Sequence, residues 1–115
     1  MNYTFFILLR ATPAWLSLPR ARRRSLADAH LGPILEGLQG KLQMRFFDAE
    51  AFTSLCSDVV MTQTTDPKHH YFFMEGLRDS PLIAHPYFEV VHIVPAIEEG
   101  YKAYEESAGL PEAGG

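Results

Sequence analysis

The chain has 115 residues, 47% of them hydrophobic, and a formal charge of −4. That length suits one domain around one core and is too short for a deep active site set between two subdomains. A single cysteine excludes an internal disulfide, the apolar content excludes disorder, and no apolar run approaches the roughly 18 residues of a bilayer span.

The opening segment Tyr3-Thr4-Phe5-Phe6-Ile7-Leu8-Leu9 is rich in aromatic and branched residues and predicts a strand over residues 2–10. It does not read as a secretory leader. Arg10 stops the apolar run that begins at Phe5, and no basic segment precedes it. A cytoplasmic protein with a reduced Cys56 is expected. Pro13 ends the strand, and Trp15-Leu16-Ser17-Leu18-Pro19 predicts the start of a helix with Ser17 as its cap. That helix should run to residue 39, with Leu26, Ala29, Ile34, Leu35 and Leu38 near one face. Gly32-Pro33 should kink it, Ser25 with Asp28 offers a later start, and Gly40 suits its terminus.

Strands are predicted over residues 43–48 and 58–65, joined by a short link that contains Cys56 in a half-buried setting. Asp66-Pro67 opens a helix over 67–79, with Tyr71, Met74 and Leu77 on its inward face. The last strand, 87–94, should end at Pro95, ahead of an acidic helix over 96–107. The order of strand, helix, strand, strand, helix, strand predicts a ferredoxin-like split βαβ fold of α+β class. It has a four-stranded antiparallel sheet with two helices on one face. Residues 1–107 form the domain in this reading, and 108–115 form a flexible tail. So short a chain leaves the second sheet face bare, and a second copy stacked on it is the economical cover.

Alternation divides the strand faces. Thr4, Phe6, Leu8 and Arg10 share one side of the first strand, and Phe88, Val90, His92 and Val94 share one side of the last. Antiparallel pairing sets Arg10 near residues 87–89 and His92 near residues 4–8. Phe6, Arg10 and His92 then line a candidate pocket, with Trp15 and Tyr87 as wall or lid. Arg10 would grip a carboxylate or enolate oxygen, and His92 would serve as general acid or base. Each has a structural role open to it as well: Arg10 in solvent or paired with Glu89, and His92 bonded to a backbone carbonyl.

Other groupings carry less. His69 and His70 point about 100° apart on a helix and read as surface residues, so no metal site is expected among them, His30, His85 and Cys56. Arg20, Arg22, Arg23 and Arg24 span more than a turn, and the computed pI near 5.7 speaks against nucleic acid. They are read as solvated, as binding an acidic ligand, or as meeting the glutamate-rich C-terminal helix of this or a partner chain. No GxGxxG, Walker loop, GxSxG or HExxH is present, so no cofactor is expected.

The opening strand, Trp15-Leu16-Ser17-Leu18, the basic helix, the Asp66-Pro67 helix and the strand over 87–94 resemble the darcynin family of small bacterial proteins, over residues 2–106. That resemblance implies a dimeric α/β-barrel arrangement, similar to cofactor-free monooxygenases, muconolactone isomerases and related cyclase enzymes. It implies no particular reaction. The functional expectation is a homodimer whose cavity takes an apolar or aromatic small molecule, with no nucleic acid or membrane partner. Two classes stay open: an enzyme working without metal or nucleotide, and a non-catalytic ligand-binding or interaction module.

Overall fold

A computed structural model describes residues 1–111. Its layers follow from alternation along strand β1 (Tyr3–Ala11): Ile7 and Leu9 are buried on one side, whereas Phe6 and Arg10 are exposed on the other. The remaining elements are α1 (Pro13–Leu16), α2 (Arg20–Gly37), β2 (Gln43–Asp48), β3 (Asp58–Thr64), α3 (Pro67–Asp79), α4 (Pro81–Ala84), β4 (Phe88–Ile97) and α5 (Gly100–Ser107). The strands form one antiparallel sheet in the order β2-β3-β1-β4, the ferredoxin-like topology expected from the element order. Ile7, Val60, Phe73, Leu77, Leu82 and Phe88 fill the core between sheet and helices.

Several element boundaries differ from the expected ones, each for a local reason. Thr12-Pro13 is itself a cap followed by a proline, so a separate short helix α1 forms before Ser17. The Ser17 hydroxyl donates to Ala14 O at 2.9 Å and closes α1 rather than capping α2. Helix α2 starts behind Pro19 with no side-chain cap, continues through Pro33 and ends at Gly37. Gly40 takes φ 77° in the turn beyond it, a conformation costly for any residue with a Cβ. Strand β4 runs through Pro95 to Ile97, because an edge strand tolerates a proline that a central one would reject. Helix α5 accordingly starts later, after Glu99 at φ 49°. Beyond Ser107 the Leu110 N–H still donates to Glu105 O at 2.8 Å, and residues 112–115 of the expected tail lie outside the described residues.

A β-bulge redraws the faces of β4. Leu8 lies opposite His92, but Leu9 lies opposite Val90, so Val91 is the extra residue. Phe88 and Val90 therefore share the helix-covered side with Ala11 and Leu9, while His92 and Val94 stay on the open side with Leu8 and Phe6. The expected common face of Phe88, Val90, His92 and Val94 is split by that one residue.

Helix α3 also turns differently from the expectation. His70, Phe73 and Leu77 are buried, and Tyr71 is 60% exposed. His70 is no surface histidine: its ring stacks on Phe5 with centroids 3.6 Å apart, and its Nδ1 shares a 2.9 Å hydrogen bond with Thr62 Oγ1. Thr62 is wholly buried, so the pair satisfies two polar groups that would otherwise oppose folding. Gly76 on the same helix lets α2 approach, since a Cβ there would stand 3.0 Å from Ile34 Cγ1.

Burial holds the His70 imidazole below its ordinary value of 6.5. The unfolded chain therefore takes up a proton that the folded chain resists. This contribution to stability is full above about pH 6.5 and falls as the pH drops below it. Urea midpoints should decline between about pH 7.5 and pH 5.5, and His70→Phe should shrink that decline; an undiminished decline would assign the proton to another group. Gly76→Val should cost about 1–3 kcal/mol by forcing α2 off α3, read from the same urea transitions. An unchanged midpoint would show that the helices do not depend on this approach.

Candidate functional site

Helix α2 packs on α3 and α4, and between its first half and the sheet lies a cavity of about 610 Å³. Its apolar lining comes from Leu9, Trp15, Phe46, Phe73, Leu82 and Phe88. Trp15 packs against Phe88 and Tyr87, with ring centroids 4.8 and 5.5 Å apart. That volume and lining fall within the range of small-molecule sites.

The polar groups divide by sign. Arg10, Arg20 and Arg23 line the cavity from the end of β1 and the first turns of α2. The Arg10 guanidinium donates to Leu55 O at 2.8 Å and to Ser54 O at 3.4 Å. Glu89 is its cross-strand neighbour, yet the ion pairs of the described residues are Lys68–Asp66 and Lys102–Glu99 only. Arg23 is held by Leu18 O at 2.9 Å and Leu16 O at 3.4 Å. Backbone carbonyls thus fix two of the three guanidiniums in place.

Asp48, Glu50 and Asp58 also line the cavity, and one carboxylate oxygen from each lies within 4.8 Å of the other two. Register makes this grouping, since Asp48 ends β2 directly opposite Asp58 at the start of β3. Asp58 is only 8% exposed. Burial pushes its carboxyl above the ordinary 3.8, against the lowering effect of the Ser57 hydroxyl; Glu50 and Asp48 push it up further. Ser57 is itself well anchored. Its Oγ accepts the Ala11 N–H at 2.7 Å and lies 2.7 Å from Asp58 Oδ2.

Of the residues singled out in the sequence, Arg10 and Trp15 line this cavity. Phe6 and His92 do not. They stand on the open sheet face, His92 opposite Leu8 and next to the Phe6–Val94 pair. Tyr87 lies behind Trp15, with its ring stacked 4.2 Å from that of His85. Cys56 is buried rather than half-buried, in the link between β2 and β3. The three carboxylates were missed, although strands expected to end at residue 48 and begin at 58 already put two of them side by side. Among the described residues no helix is long and apolar enough to cross a membrane.

Comparison with solved structures bears on the fold. A heme-binding protein from Thermus thermophilus superposes with a TM-score of 0.73 at 21% identity, over 89% of this chain and 43% of that one. A mutant chlorite dismutase from Candidatus Nitrospira defluvii gives 0.69 at 15% identity, over 97% of this chain and 44% of the other. The chain thus spans less than half of either neighbour, and the likeness is one of fold, the ferredoxin-like arrangement of sheet and helices.

Sequence relatives lie closer. Darcynin 1 of Acinetobacter baumannii is 39% identical over 90 residues, which is 78% of this chain and 99% of the relative. The darcynin of Chromobacterium violaceum is 49% identical over 65 residues, covering 56% of this chain and 82% of the relative. A family model described as darcynin, a domain of unknown function, matches residues 1–112. With that span matched, and with relatives this similar, the chain belongs to the darcynin family.

Proposed function

We propose that this protein is a homodimer that binds an apolar or aromatic small molecule in the cavity between α2 and the sheet. The observation that carries the reading is the cavity itself: about 610 Å³, walled by aromatic and aliphatic side chains, with Arg10 and Trp15 in its lining. Arg10 supplies a fixed, permanently charged donor for a ligand oxygen. Asp58 is the group suited to hold and exchange a proton, a role the sequence had suggested for His92. In this reading the protein's chemistry is acid–base work on a bound organic molecule.

Heme, which one structural neighbour is described as binding, is a poor fit to this cavity. Its lining contains no histidine, cysteine, methionine or tyrosine, the side chains that ligate heme iron.

The open sheet face supports the dimer. Phe6, Phe47 and Val94 are 36%, 40% and 50% exposed there, with Met61 beneath them. Such an apolar face marks an interaction surface, and a two-fold axis through it pairs like with like. The neighbours' chains, more than twice as long as the matched region, leave room for a second unit of this size. Phe6 and His92 then belong to the dimer interface.

Native mass spectrometry of the purified chain should show a dimer that retains a small organic molecule. Ala27→Phe, which intrudes on the cavity from α2, should abolish retention with the dimer and the melting temperature kept. A ligand still retained by that variant would place the site elsewhere. Val94→Glu should weaken the dimer by about a hundredfold or more, since each of two buried valines contributes about 1.5 kcal/mol. A wild-type chain that stays monomeric at high concentration would remove the interface.

A further inference from the structure

The charges in the cavity narrow its ligand, an inference that rests on the binding function proposed above. Three guanidiniums and three carboxylates line one space, yet no ion pair joins them among the described residues. Arg20 makes no hydrogen bond with any described side chain or carbonyl, and Arg10 and Arg23 are turned to backbone oxygens. Asp48 faces Asp58 across the β2–β3 pair, with Glu50 beside them. Charges of both signs thus line one space over an apolar floor of Leu9, Phe73 and Phe88 without pairing among the described residues.

Like charges this close repel unless a proton or a partner relieves the repulsion, and Asp58 among them is nearly buried. Arg20, exposed and bonded to no protein group, is free to take an anion from a bound molecule. One molecule answers both demands if it carries an acidic group at one end and a cationic or N–H donor group at the other. We infer that the ligand is dipolar: an aromatic or apolar body with a carboxylate toward Arg20 and an amine toward Asp48 and Glu50. A purely anionic ligand would meet the carboxylates, and a purely cationic one would meet the arginines. The two sets of charges therefore discriminate by repulsion as well as by attraction.

Four probes with one aromatic body test this on the full chain by titration calorimetry at neutral pH. They are 3-(2-naphthyl)alanine with both charges, 3-(2-naphthyl)propionate with the acid alone, 2-(2-naphthyl)ethylamine with the amine alone, and 2-(2-naphthyl)ethanol with neither. The dipolar probe should bind at least about tenfold more tightly than the acid or the amine, the scale of one charge-assisted hydrogen bond. Arg20→Gln should reduce its affinity to that of the amine, and Asp48→Asn or Glu50→Gln to that of the acid. Arg20, Asp48 and Glu50 are exposed, so unchanged melting temperatures are expected, and the two acidic variants check one another. Equal affinities for the dipolar probe and the acid, or a ratio unmoved in both acidic variants, would overturn the inference. If the uncharged alcohol binds as well as the other three, only the dipolar inference falls. If none of the four binds, the binding reading falls with it.

Discussion

The close approach of Ile34 to Gly76 sets where α2 can lie, and the cavity depends on it. A Cβ on residue 76 would stand 3.0 Å from Ile34 Cγ1, so the second half of α2 is drawn onto α3. The first half has no such anchor on the sheet. It carries exposed arginines and the half-buried Arg23 and Ala27, and only Leu26 among its residues is buried. Below it lie Phe73, Leu77 and Leu82, which belong to the core and also to the cavity lining. One helix therefore closes the core at its C-terminal half and roofs an apolar space at its N-terminal half. A space of this size beside a well-packed core has the dimensions of a small-molecule site.

The sheet is asymmetric in the same way. On the helix side Ile7 and Thr62 are wholly buried, and the Thr62–His70 bond lets a polar pair sit within that layer. On the other side Phe6, Phe47 and Val94 face outward. The bulge at Val91 brings Phe88 and Val90 to the helix side and leaves His92 and Val94 on the open one. A straight β4 would have put Phe88 on the same side as His92, outside the core. The extra residue thus gives one strand both a core residue for the cavity wall and apolar mass for the bare face.

Much of this architecture was legible where local chemistry is unambiguous. Asp66-Pro67 is a cap followed by a residue with no N–H to lose, and α3 begins where that pair predicts. Residues 43–48 form a strand at the expected bounds. The bulge was not legible, because Val90-Val91 is apolar on either face and alternation carries no mark of an inserted residue. Nor was the inward turn of His70, since burial of an imidazole depends on a threonine from β3 and a phenylalanine from β1 arriving beside it. Two residues of the candidate site, Arg10 and Trp15, were legible in the same sense. Arg10 and Trp15 lie near the ends of local elements, whereas the Asp48–Asp58 pair exists only through register.

The uneven charge of the chain takes its meaning from this geometry. Arginines at residues 20–24 and glutamates at 98–106 suggested two complementary helix surfaces. No ion pair joins α2 to α5 among the described residues, and Glu98 instead accepts hydrogen bonds from Asn2 and Gln63 at 3.4 and 3.2 Å. The acidic groups that share the cavity with Arg20 and Arg23 come from the end of β2, the start of β3 and the link between them, and no ion pair joins the two sets among the described residues. Charges that attract but do not meet either remain hydrated or await a molecule that spans them. Hydration costs little for Arg20, which is exposed, but Asp58 is nearly buried and is held toward its protonated form by that burial and by the carboxylates beside it. The buried carboxyl, more than the arginines, sets this space apart from an ordinary wet cleft.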